Sequence, residues 1–120
     1  MDPELQKIVE AENARNRAAR ERIGRRLEEA RAEARRLAED MGRADAEVKR
    51  VILFGSVASG KVRTETFDID LGVVGGDLME LMRITEESAF GVDLVDLETV
   101  SSGFRRMVEE RGEVLYDAGQ

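Results

Sequence analysis

Hydrophobic and polar positions along this chain follow two rhythms. From Pro3 to Met41 the residues are mostly Ala, Arg, Glu and Leu with no further proline, which predicts one long helix. Asp2-Pro3-Glu4 reads as its start, with Asp2 as N-cap and Pro3 at the first helical position, and Gly42 reads as its stop. Ile23, Leu27, Ala30, Ala34, Leu37 and Met41 alternate steps of four and three, a stripe along one face. Leu5, Ile8 and Val9 open a thinner stripe that polar residues around Asn13 and Asn16 interrupt. Such a helix is about 55–60 Å long, against about 25–30 Å for a compact core of the remaining residues. The overhang requires a bend near the asparagines or Gly24, or a partner. We expect the Leu27–Met41 half to join the core and the Leu5–Ile23 half to meet a partner, most simply a second copy.

Beyond Val48 the period changes to two. Apolar runs predict strands at Val48–Phe54, Asp68–Val74 and Val92–Leu97. A short helix is expected from about Ser56, followed by a polar loop with Lys61, Arg63 and Thr64. Asp77 reads as the N-cap of a helix burying Leu78, Leu81 and Met82. Another helix, from Ser101 or Ser102 to Gly112, carries Phe104, Met107 and Val108, and Val114-Leu115-Tyr116 adds a short strand. The predicted class is α/β (α+β), a small sheet covered by helices, with residues 1–42 as the long helix and 43–120 as the core.

The stretch from Val51 to Val74 carries the candidate chemistry. Gly55 lets backbone approach a ligand, and Ser56 reads as an N-cap whose helix favours phosphate. On a strand, Asp68 and Asp70 share one face with Cα atoms roughly 6.5–7 Å apart, so they can converge on a cation. The 120 residues contain neither cysteine nor histidine. Disulfides, zinc hydrolysis and Ser-His nucleophiles are thereby excluded, and a catalytic metal must rest on carboxylates, which favours Mg²⁺ or Mn²⁺.

The net charge of −7 argues against a nonspecific DNA binder. Its distribution is uneven, with nine arginines between Arg15 and Arg36 against four glutamates. No run approaches the roughly 20 apolar residues of a membrane span, so a soluble, cytoplasmic protein is expected.

Phe54-Gly55-Ser56, Ala58, Gly60, Asp68-Ile69-Asp70 and Val92-Asp93-Leu94-Val95 together resemble the DNA polymerase beta superfamily, in particular its minimal nucleotidyltransferase (MNT) branch. The resemblance spans about Val48 to Tyr116 and implies a small mixed sheet. It also implies that Gly55 and Ser56 hold the phosphates of ATP, that Asp68 and Asp70 bind Mg²⁺, and that Asp93 is the third carboxylate, binding metal and helping to remove a proton. Lys61 is a further candidate for the phosphates. Asp96, on the opposite strand face, reads as structural. Two departures stand out. Ser59 occupies a position where the family carries Arg, and Phe67 precedes the first Asp where a small or hydroxylic residue is usual.

Stand-alone proteins of this type imply transfer of AMP from ATP to a hydroxyl, typically a tyrosine, on a HEPN-domain toxin, with the chain as antitoxin. The rival expectations are a small-molecule nucleotidyltransferase of the aminoglycoside-modifying kind and a non-catalytic binding module. RNA binding by the Arg-rich helix is disfavoured because aromatic stacking residues are missing there.

Overall fold

The computed structural model describes residues 2–119. Helix α1 runs unbroken from Pro3 to Ala44, and the Asp2 carboxylate caps it by accepting the Glu4 amide at 2.8 Å. Its 42 residues amount to about 63 Å at 1.5 Å each, matching the 65 Å long axis of the molecule. The helix is therefore straight, without a bend at Asn13, Asn16 or Gly24. It also passes Gly42, which is not its stop. Gly42 serves packing instead, because a Cβ there would collide with the Tyr116 ring. The end falls at Asp45, whose backbone is extended.

The core follows as β1 (Arg50–Phe54), α2 (Gly55–Ser59), β2 (Ile69–Val74), α3 (Leu78–Glu86), β3 (Val92–Asp96), α4 (Ser102–Arg111) and β4 (Glu113–Asp117). The sheet is mixed, in the order β3-β2-β1-β4, with β2 parallel to β3 and β1 antiparallel to both its neighbours. Asp77 caps α3 through the amides of Met79 and Glu80, and Ser101 caps α4 through Phe104, as their sequence positions require. Met82, expected inside, is exposed. The buried stripe of α3 runs through Leu81 and Thr85, and Met82 lies beside it.

Strand period two sorts the core onto two faces. Val51, Leu53, Ile69, Leu71 and Val73 meet Ala30, Ala34, Leu37, Ala38 and Met41 of α1. Ile52, Phe54, Val74 and Leu97 meet α4 through Val108, with Phe104 and Met107 alongside. The N-terminal half of α1 touches neither group, and Leu5 and Ile8 are 51% and 63% exposed. Among the described residues no helix is long and apolar enough to cross a membrane.

Candidate active site

Register decides which side chains meet. Phe54 stands opposite Asp70 across β1 and β2, and Asp70 stands opposite Asp93 across the parallel β2 and β3. All three therefore belong to the face that α4 covers. Since Ile52, Phe54, Val74, Val95 and Leu97 of that face pack against α4, the apolar part is roofed. The carboxylates at its end are left uncovered, with Asp68 and Asp93 exposed and Asp70 half-buried.

Two glycines make room for these acids. Gly55, at φ +74°, turns the chain from β1 into α2, and a Cβ on it would strike Asp70 Oδ2. Gly91 precedes β3, and a Cβ on it would strike Asp68 Oδ1. The backbone link between the same segments is the Ile69 amide donating to the Gly91 carbonyl at 2.9 Å. Asp68 thus lies one residue ahead of β2 rather than inside it. Sequence reading assigned Gly91 no part in the site. A glycine two residues before the third acid was the available signal.

Burial, followed by the charges of Asp93 and Asp68 and a hydrogen bond with the Asp93 carboxyl, pushes Asp70 up to about 6. Phe54, directly across from Asp70 and held edge-on to Phe104 at 5.7 Å, supplies apolar surroundings. Asp70 interacts with both Asp93 and Asp68, and carboxylate oxygens are the donors a hard divalent cation takes. Their arrangement is an open one: among the described residues no group of three or more acids is gathered tightly enough to cage an ion as it stands. The mutual repulsion at Asp70 and this openness describe the same cluster, close enough to interact through charge and short of a finished cage.

Ser56 does not cap α2. The helix starts at Gly55, one residue earlier than expected, with Phe54 rather than Ser56 in the N-cap position and no side-chain cap. The other end of α2 is closed from several sides. The Gly60 amide and the Ser59 hydroxyl both donate to the Ser56 carbonyl, at 2.9 and 3.2 Å. Arg31 of α1 donates through Nε to the Val57 carbonyl and through Nη2 to that of Ala58. Ser59 Oγ accepts the Lys61 amide at 3.2 Å, so this serine builds the turn.

Lys61 itself is exposed on the loop before β2. Asp96 is a turn former as expected, its Oδ1 accepting the Glu98 amide at 2.9 Å. A cavity of about 360 Å³ lies away from the acids, between α1 and α3, lined by Arg36, Asp40, Arg43 and Glu87 among others. Its arginines are engaged by Glu33 and Asp40, which leaves it without convergent chemistry.

A family profile described as "Polymerase beta, Nucleotidyltransferase" matches residues 39–120. The chain is similar to a crystal structure of a toxin-antitoxin with AMP-PNP, at 27% identity over 69% of each chain with a TM-score of 0.54. It is also similar to a structure of a tri-AMPylated Shewanella oneidensis HEPN toxin in complex with MNT antitoxin, at 24% identity, covering 78% of this chain and 75% of that one, TM-score 0.52. A third likeness, to a Sulfolobus solfataricus crystal structure, has 19% identity, covers 85% of this chain and 89% of that one, and has a TM-score of 0.51. The last two show the shared fold alone. No curated protein matches the chain.

Proposed function

This chain belongs to the polymerase beta nucleotidyltransferase family, and from that premise we propose that it transfers AMP from ATP to a hydroxyl group on a HEPN-domain partner, most simply a tyrosine, as the antitoxin of a toxin-antitoxin pair. The observation that carries this reading is the register of three strands, with Asp70 beside Asp93 and next to the turn that opens α2. The likeness to a toxin-antitoxin structure containing AMP-PNP supports the nucleotide and a toxin as the partner.

In this reading Gly55 and Ser56, at the start of α2, receive the outgoing phosphates. Lys61 reaches them from its exposed loop. Asp68, Asp70 and Asp93 would hold Mg²⁺ or Mn²⁺, which when bound supplies charge compensation for the triphosphate. The acceptor oxygen bonds to the α-phosphorus as the bond to pyrophosphate breaks, and the acceptor proton passes to a carboxylate oxygen of Asp93. Phe54 and Phe104 keep water from one side of Asp70.

The overhanging half of α1, with Leu5, Ile8 and Val9 exposed, is read as a docking arm joining two copies, while residues 43–120 form the catalytic core. Incubation with ATP labelled at the α- or the γ-phosphate tests the chemistry. Covalent label on a HEPN-domain protein supplied as acceptor is expected from the α-label only, and is lost in Asp68→Asn/Asp70→Asn. Absence of α-label from the HEPN protein would contradict AMP transfer.

A further inference from the structure

A helix of five residues cannot hold itself together, since one turn fixes more backbone freedom than its hydrogen bonds repay. The last carbonyls of α2 have no partners within the helix. Ser56 finds two in the turn that follows, whereas Val57 and Ala58 are met by one side chain from another element. Arg31 reaches across from α1 with Nε 3.2 Å from the Val57 oxygen and Nη2 3.5 Å from that of Ala58. The guanidinium lies along the turn, so close that a Cβ on Gly60 would come within 3.4 Å of Nη2. Its charge suits a helix C-terminus. Its base is firm as well, because Ala30 and Ala34 on either side of it are fully buried in the core. The planar guanidinium presents two separate nitrogens to two neighbouring carbonyls in a fixed geometry, whereas an ammonium is a compact point charge.

We propose that Arg31 is a positioning residue of the nucleotide site, clamping the far end of α2 so that Gly55 and Ser56 are presented in fixed orientation beside Asp70. The proposal rests on the nucleotide reading of that turn. It also changes the meaning of Ser59. The position where the family carries Arg here builds the turn through its hydroxyl, and a guanidinium reaches the same turn from α1 instead. Arg31 acts through the turn and touches no reacting atom.

The test uses the full chain with Arg31→Met, which keeps an unbranched stem, and Arg31→Lys. Titration with ATP and Mg²⁺ gives the dissociation constant and the stoichiometry separately, and hydrogen exchange reports the amides of residues 55–61. In Arg31→Met the dissociation constant is expected to rise about tenfold, the loss of a charged hydrogen-bonding fork, at unchanged stoichiometry. Exchange at residues 55–61 accelerates while β1 and β2 stay protected. Arg31→Lys recovers part of the affinity.

A merely structural role gives the opposite split, with fewer binding-competent molecules at the wild-type dissociation constant, and would overturn the proposal. So would unchanged exchange at residues 55–61 in Arg31→Met. If the wild-type chain binds no nucleotide, the reading of the site fails, and with it the nucleotide part of this proposal. The exchange data then decide the clamp on its own.

Discussion

The docked half of α1 and the carboxylate end of the sheet are both built from small residues at close approach, to opposite effect. Along α1, Ala30, Ala34 and Ala38 are fully buried beside the larger Leu37 and Met41 against apolar strand residues, so the alanines let helix and sheet approach and the close-packed apolar contacts favour the folded state. At the ends of β2 and β3, Gly55 and Gly91 make room for acids that repel one another. The fold is stabilised in the first region and bears a cost in the second. Substitutions should therefore separate stability from binding according to region.

The largest effect belongs to the packed region. Leu37→Ala is expected to lower stability by about 2–5 kcal/mol in denaturant unfolding, leaving the nucleotide affinity of the molecules that remain folded unchanged. At the acid end the sign reverses. The Asp70 carboxyl titrates at about 6 in the fold against an ordinary 3.8. Being raised, it favours folding at low pH, and that contribution is lost as pH rises from about 4 to about 6. Above that window Asp70→Asn should stabilise the ligand-free chain by about 1–2 kcal/mol, solvent screening having reduced the full value. Its stability should also lack the decline expected of the wild type between these pH values. Wild-type stability that stays level across the window would contradict the repulsion at this site.

Gly91→Ala is next. The atom it displaces is the tip of the Asp68 side chain, which can swing away, so folding should change little while affinity for ATP with Mg²⁺ falls about tenfold, as read by titration. Leu5→Ser with Ile8→Ser marks the lower limit. Neither residue is buried in the chain, so its own unfolding should move by less than about 0.5 kcal/mol, whereas sedimentation should show copies coming apart if the arm joins them.

The elements were legible because local chemistry agreed with them. Asp2, Asp77 and Ser101 cap the helices that follow, and the alternation in β1 and β2 matches their two buried faces. The acids themselves were legible as a pattern, and pairing supplied what the pattern lacked, namely that Asp70 adjoins Asp93. What sequence reading missed depends on partners far along the chain. Gly42 is a helix interior because Tyr116 packs on it, and Gly91 matters because Asp68 does. Arg31 was one of nine arginines crowded between Arg15 and Arg36, and only the position of α2 distinguishes it. Ser56 was misread as a cap because the turn at Gly55 already opens α2, with Phe54 in the cap position.

The most direct measurement is thermal unfolding of the wild type and of Asp68→Asn/Asp70→Asn, each with ATP plus Mg²⁺, ATP plus EDTA, and Mg²⁺ alone. Ligand at about 100 times its dissociation constant adds roughly 2.7 kcal/mol, which raises the midpoint by several degrees. A rise in the wild type that needs both ATP and Mg²⁺, and is missing from the double variant relative to its own ligand-free midpoint, is the predicted result. A wild-type midpoint that does not move at millimolar ATP and Mg²⁺, or an equal rise in the double variant, would contradict a nucleotide site built on these carboxylates.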